Sequence, residues 1–281
     1  MPSVGEVYKN CLNKIEDTGL FSGDLRLLIM SHMGYSSQIE VITNSNVEFK
    51  DFAGFSLKFE EFLQGKPVEY IVKNSSFLNY DIYVDERVLI PRMETQELIA
   101  NLSERIYEYF DPRNYLVAAD ICTGSGCISI ALKGLFKNWL ITASDISQDA
   151  LDVAKINFDR YGYPIRVLKG DGLDPFIEAN MALDVIVCNP PYIRNKERVQ
   201  DSVKRYEPEL ALYLDETHSV YENIFSKYKK VKKGSLLMCF EIDDDIVGYL
   251  KDLMDRYLEN YTFEFIKDLN GFDRFLFIFM E

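Results

Sequence analysis

The sequence predicts an α/β fold: a mostly parallel sheet covered by helices on both faces, preceded by a small helical region and a β-hairpin. Three observations predict it. Residues 1–65 place apolar side chains at helical spacing, and Tyr70 to Leu89 is dense in aromatic and β-branched residues. After Pro112, short apolar runs alternate with helical patterns, which is how a parallel sheet with crossover helices reads.

Each element has its own signal. Leu25, Leu28, Ile29, His32 and Met33 mark one helix face, and Phe52, Phe55, Phe59, Phe62 and Leu63 another. Gly65 and Pro67 stand where a helix should stop. Between Tyr70 and Leu89, Asn79 and Asp85-Glu86 break the apolar pattern into two short strands. A helix is expected from about Gln96 to Tyr109, ended by Asp111-Pro112. Strands are then expected at Leu116–Cys122, Leu140–Ala143, Ile165–Leu168, Val185–Cys188, Leu236–Phe240, Phe263–Ile266 and Phe275–Phe279. Helical patterns lie between, as at Ala150–Phe158 and Ile246–Leu258. Five lysines between Lys227 and Lys233 fit a helix end before Gly234, where cations oppose the helix dipole.

Composition excludes several classes. The 281 residues are 47% hydrophobic and 27% charged, so the chain is expected to fold as a globular protein. No apolar run approaches the roughly 20 residues of a membrane span, and residues 1–10 resemble neither a secretory signal nor a transit peptide. A net charge of −14 argues against a non-specific nucleic-acid binder. Five cysteines without a C-x-x-C pair and only two histidines suggest neither a disulfide framework nor a metal site. A cytoplasmic location is the expectation.

Chemistry is expected at the carboxyl ends of the strands. The first strand ends in Asp120, then Cys122-Thr123-Gly124-Ser125-Gly126, small residues that let a ligand approach the backbone and a helix N-terminus. The second ends in Asp145-Ile146, where a carboxylate can accept from both hydroxyls of a ribose. The third ends in Asp171-Gly172, where Asp171 can accept from an adenine amino group. The fourth runs into Asn189-Pro190-Pro191-Tyr192. Prolines remove N–H donors, so this turn displays acceptors: the Asn189 side-chain oxygen and the Pro190 carbonyl suit a planar –NH₂ group, and Tyr192 offers an aromatic face.

At these residues the sequence resembles S-adenosylmethionine-dependent methyltransferases that modify planar amino groups, and most closely the HemK/PrmC family of release factor glutamine methyltransferases. The likeness extends to Gly65-Lys66-Pro67 with Tyr70-Ile71, to Arg87–Thr95, to Tyr206-Glu207-Pro208 with Ala211-Leu212, to Phe240-Glu241-Ile242, and to Lys267-Asp268-Leu269 with Asp273-Arg274. Cys122 replaces a customary glycine, Met93 a proline and Asp243 a glycine, and a D-G-L segment is not evident around Thr217–Val220.

The resemblance implies a seven-stranded class I methyltransferase (Rossmann-like) domain over residues 94–281, its last strand antiparallel. It also implies a β-hairpin linker at 70–93 and a helical substrate-docking domain at 1–69. The implied reaction moves a methyl group from S-adenosylmethionine to the glutamine amide of a Gly-Gly-Gln motif in a peptide chain release factor, leaving S-adenosylhomocysteine. Asn189, Pro190, Pro191 and Tyr192 would act on the substrate. Asp120, Cys122, Thr123, Gly124, Ser125, Gly126, Asp145, Ile146, Asp171, Gly172 and Asn189 would hold the cofactor. No metal, membrane or direct nucleic-acid contact is implied. Two alternatives use the same turn: an adenine or guanine amino methyltransferase of nucleic acid, and a glutamine methyltransferase of a ribosomal protein.

Overall fold

A computed structural model of the chain describes residues 2–111 and 115–281, so the expected break at Pro112 lies outside the described residues. The chain divides into two compact units, Met1–Asn74 with Asp201–Tyr206, and Ser75–Gln200 with Glu207–Glu281.

The first unit contains helices α1 (Val4–Ile15), α2 (Ser22–Met33), α3 (Ile39–Thr43), α4 (Phe52–Leu63) and α5 (Val68–Val72). A capping box opens α1: Ser3 Oγ accepts from Glu6 N–H and Glu6 accepts from Ser3 N–H. Gly34, at φ 70°, closes α2 in the left-handed conformation that glycine adopts without strain. The expected apolar stripes meet in one core, with Leu25, Leu28, Ile29 and Met33 against Phe55, Phe59 and Phe62. His32 is a structural group here; its ring stacks on Phe49 at 5.5 Å.

The second unit opens with an antiparallel hairpin, β1 (Ser75–Phe77) and β2 (Tyr80–Ile82), shorter than the sequence suggests. Tyr70 and Ile71, expected in a strand, lie in α5 because Pro67 starts a helical turn and its carbonyl accepts from Tyr70 N–H. Then follow α6 (Met93–Tyr109), β3 (Val117–Ile121), α7 (Cys127–Leu135), β4 (Leu140–Asp145), α8 (Gln148–Tyr161), β5 (Arg166–Lys169), α9 (Asp174–Glu178) and β6 (Leu183–Cys188). After α10 (Asp201–Tyr206), which belongs to the first unit, come α11 (Val220–Lys227), β7 (Lys232–Glu241), α12 (Val247–Tyr257), β8 (Tyr261–Lys267) and β9 (Asp273–Met280). The lysine run does not end one helix. It crosses from α11 through a short 3-10 turn into the start of β7.

Among the described residues, a seven-stranded sheet runs β5-β4-β3-β6-β7-β9-β8, and β9 alone is antiparallel to its neighbours. This is the architecture that the resemblance implies. The chain winds outward from β3 in both directions, so the crevice for a ligand opens beyond the carboxyl ends of β3 and β6. Strand alternation assigns the two faces. Ala119, Ile121, Ile186, Met238 and Phe240 pack with Tyr221 and Phe225 of α11 and Leu250 and Leu253 of α12. The intervening residues, Asp120 and Glu241 among them, therefore point toward the other helical layer. No described helix is long and apolar enough to cross a membrane.

Candidate active site

The turn after β3 is built to hold its backbone open. Cys122, Gly124 and Gly126 all have positive φ, at 59°, 53° and 83°. A Cβ on Gly126 would sit 2.5 Å from the Phe158 ring, so only glycine lets α7 start that close to α8. A Cβ on Gly124 would meet nothing within 4 Å. Asp120 is fully buried beneath this turn. Its Oδ2 accepts from Thr123 Oγ1 at 2.6 Å and from the Ser129 hydroxyl and N–H at 2.6 and 3.0 Å. Burial pushes its carboxyl up to about 6, against the pull of those donors. Asn157, also fully buried, donates to the carbonyls of Ser125 and Tyr83 and accepts from Tyr83 N–H, tying the turn to the hairpin side.

Asp145 ends β4 beside this turn. Its Oδ2 accepts from Gly124 N–H at 3.0 Å and its Oδ1 from Ser147 N–H at 2.9 Å. Both oxygens are thereby held in place on the cavity wall. Burial raises this carboxyl above the ordinary range, opposed by the backbone donors. Asp171, after β5, accepts from Asn223 Nδ2 at 3.1 Å, while Asn223 Oδ1 accepts from Leu173 N–H at 3.0 Å.

These strand ends border one cavity of about 360 Å³, within the range of small-ligand pockets. Cys122 to Ser125, Asp145, Ile146, Asp171, Gly172, Asn189 and Pro191 lie on its wall. Four expected site residues do not. Asp120 supports the turn from below; Gly126 is used for helix packing; Pro190 is buried behind the wall; and Tyr192 packs on the core beside β7. The residues present fit a nucleoside cofactor: an open glycine turn, a carboxylate held on the wall, and a second carboxylate one strand further on. The opposite wall was not foreseen. It comes from Arg87–Arg92 and from the segment between Pro208 and Val220. Buried Glu207 links the two, accepting from Arg92 at 2.5 Å and from Ile90 N–H at 3.3 Å.

At the far end, β6 delivers Asn189 to the wall. Its Nδ2 donates to Thr95 Oγ1 at 3.1 Å. Thr95 Oγ1 donates to Glu241 Oε2 at 2.7 Å, and the Tyr192 hydroxyl donates to Glu241 Oε1 at 2.9 Å. Glu241 is fully buried, which raises its carboxyl while both hydroxyls hold it down. A carboxylate, Glu241, thus stands one hydroxyl away from Asn189. Applying the strand-end rule to the fifth strand would have found it. The Tyr192 hydroxyl, engaged with Glu241 and buried, is pushed well above the ordinary phenol range.

Comparison with known proteins agrees with this geometry. Residues 95–210 match the methyltransferase small domain family. A release factor glutamine methyltransferase of Chlorobaculum tepidum is 36% identical over 80% of this chain and 78% of its own. That of Bacillus subtilis is 30% identical over 98% of this chain and 96% of its own. A methyltransferase structure from Pyrococcus furiosus, 16% identical, shares the fold with a TM-score of 0.50 over 81% of this chain and 98% of that one. With that identity sustained along nearly the whole chain, the protein belongs to the release factor glutamine methyltransferase family.

Proposed function

We propose that this chain methylates the side-chain amide of the glutamine in the Gly-Gly-Gln motif of a peptide chain release factor, in the cytoplasm, with S-adenosylmethionine as donor. The carrying observation is Asn189 on the cavity wall, with its Nδ2 already engaged by Thr95 and its Oδ1 left to accept from a substrate. Asp145 would hold the ribose hydroxyls and Asp171 the adenine amino group, while the turn from Cys122 to Ser125 lies along the rest of the cofactor. When bound, S-adenosylmethionine supplies an electrophilic methyl group on a sulfonium sulfur.

An amide nitrogen is a poor nucleophile because its lone pair is delocalised into the carbonyl. Asn189 Oδ1 would accept one of its N–H bonds, aiming the nitrogen at the methyl carbon. As the new C–N bond forms, positive charge grows on the nitrogen and that hydrogen bond strengthens; one amide proton then passes to solvent water. Positioning and electrostatic stabilisation are the main levers. The helical unit at the N-terminus carries no chemical group and serves to dock the release factor.

The test is incubation with labelled S-adenosylmethionine and, separately, release factor, ribosomal proteins, DNA and RNA, followed by mass mapping of the methyl group. Methyl on the Gly-Gly-Gln glutamine supports the reading; methyl on a nucleic-acid base or only on a ribosomal protein defeats it. Asn189→Ala should keep most cofactor affinity and lose roughly a hundredfold or more in turnover, the usual loss for a transition-state hydrogen-bonding group. Tyr192→Phe should be milder, because its ring stays packed.

A further inference from the structure

We propose that Thr95 and Glu241 are positioning residues that fix which end of the Asn189 side chain faces the substrate. The proposal rests on the reading of Asn189 as acceptor for the glutamine amide, and it concerns what makes that side chain an acceptor. A carboxamide has a donor end and an acceptor end of nearly equal shape, so packing alone does not choose between them.

Hydrogen-bond polarity does choose. A carboxylate only accepts, so the single hydrogen of Thr95 Oγ1 goes to Glu241 Oε2, 2.7 Å away. That leaves Oγ1 with lone pairs alone toward Asn189 at 3.1 Å, and Asn189 must present Nδ2–H there. Oδ1 is then the end offered to the cavity. A flipped Asn189 would set two oxygens against each other and turn an –NH₂ toward a substrate –NH₂. Tyr192 keeps the anchor from rotating, because its hydroxyl donates to Glu241 Oε1 at 2.9 Å. Tyr221 restrains the same residue's backbone, donating to the Glu241 carbonyl at 2.9 Å. The direction of the relay is set at the buried carboxylate and passed outward through one hydroxyl.

The test is a mutant cycle measured with S-adenosylmethionine and a Gly-Gly-Gln substrate. Thr95→Val keeps the shape and removes the relay; kcat should fall at least about tenfold, the equivalent of one lost hydrogen bond to a polar network. The KM for S-adenosylmethionine should hold within about twofold, since the ribose and adenine contacts are elsewhere. Thr95→Ser should restore the rate. Glu241→Gln should match Thr95→Val, because its amide can donate to Thr95 and reverse the relay. In an Asn189→Ala background, Thr95→Val should cost nothing further. If the double variant instead loses the product of the two single losses, Thr95 acts independently of Asn189 and the proposal is overturned.

A second measurement needs no substrate. In the protein saturated with S-adenosylhomocysteine, the Asn189 side-chain NH₂ should give two well-separated proton resonances, one hydrogen-bonded. Thr95→Val should move the hydrogen-bonded proton upfield, and unchanged resonances would overturn the proposal. A wild-type protein inactive on every glutamine substrate would defeat the functional reading instead, while the NMR comparison would still decide the orientation.

Discussion

Replacing Asp145 separates a cofactor site from a mere helix cap. Its oxygens accept backbone N–H groups, including those of Gly124 and Ser147, and the residue lines the cavity. Two ribose hydroxyls bound there would form charge-assisted hydrogen bonds of about 1.5–3 kcal/mol each. Their joint loss is bounded at about 3–6 kcal/mol, and water entering the gap returns part of it. Asp145→Ala should therefore weaken S-adenosylmethionine binding by at least about tenfold, or about 1.4 kcal/mol. Asp145→Asn should fall in a similar range, because its –NH₂ must face either the Gly124 or the Ser147 N–H. Both variants also lose backbone contacts of the turn, so folding is checked first by near-UV circular dichroism and a melting curve. Calorimetric titration with S-adenosylhomocysteine then reads affinity without turnover. An unchanged Kd in a folded Asp145→Ala protein would refute the ribose role and leave this residue holding only Gly124 and Ser147.

Other outcomes follow from the same geometry. Cys122 sits at φ 59° where most L-residues pay about 1–2 kcal/mol; Cys122→Gly should raise the urea midpoint by the equivalent of about 0.5–1 kcal/mol after the added unfolded-state entropy, and a lower midpoint would mean the thiol's packing outweighs the strain. Asp120 has a folded pKa of about 6 against 3.8 for the free group, so the folded state binds the proton more tightly and this residue's contribution to stability falls as pH rises from about 4 to 6. The stability of wild type minus that of Asp120→Asn should drop by about 2.4 kcal/mol between pH 4 and pH 7, as read from denaturant titrations; a flat difference would show the carboxyl titrating normally. In the N-terminal unit, Phe21 and Leu57 are 73% and 66% exposed. Phe21→Glu with Leu57→Glu should reduce kcat/KM on intact release factor while sparing a short Gly-Gly-Gln peptide, and equal loss on both substrates would remove the docking role.

The sheet was legible because the strands carry short apolar runs, and several are closed by a small or acidic residue. That rule found Asp145, Asp171 and Asn189, which stand at or just past the last residues of β4, β5 and β6. It misplaced Asp120, which lies one residue inside β3 and so takes the buried side of the pleat instead of the cavity wall. The aromatic density around Tyr70 suggested a strand, but Pro67 presets a helical turn and local backbone geometry prevailed.

What spacing could not reveal is the support behind the turn. Thr95 and Glu241 are 146 positions apart, and Asn189 is 94 from Thr95, so no periodicity links them. They meet because α6 covers the face of the sheet toward which the Glu241 end of β7 points. The same alternation sends Asp120 to that face, where α7 supplies Ser129. Two buried carboxylates thus stand behind the two ends of the site, each with one hydroxyl from a covering helix and one from the adjoining turn. Asp120 shapes the turn that would carry the cofactor, and Glu241 sets the polarity at Asn189. Burial disfavours a charge at either position, and the hydroxyl donors offset that cost. A single hydroxyl removed behind either end should therefore disturb one end and spare the other: Ser129→Ala should act on cofactor affinity, as Thr95→Val acts on turnover.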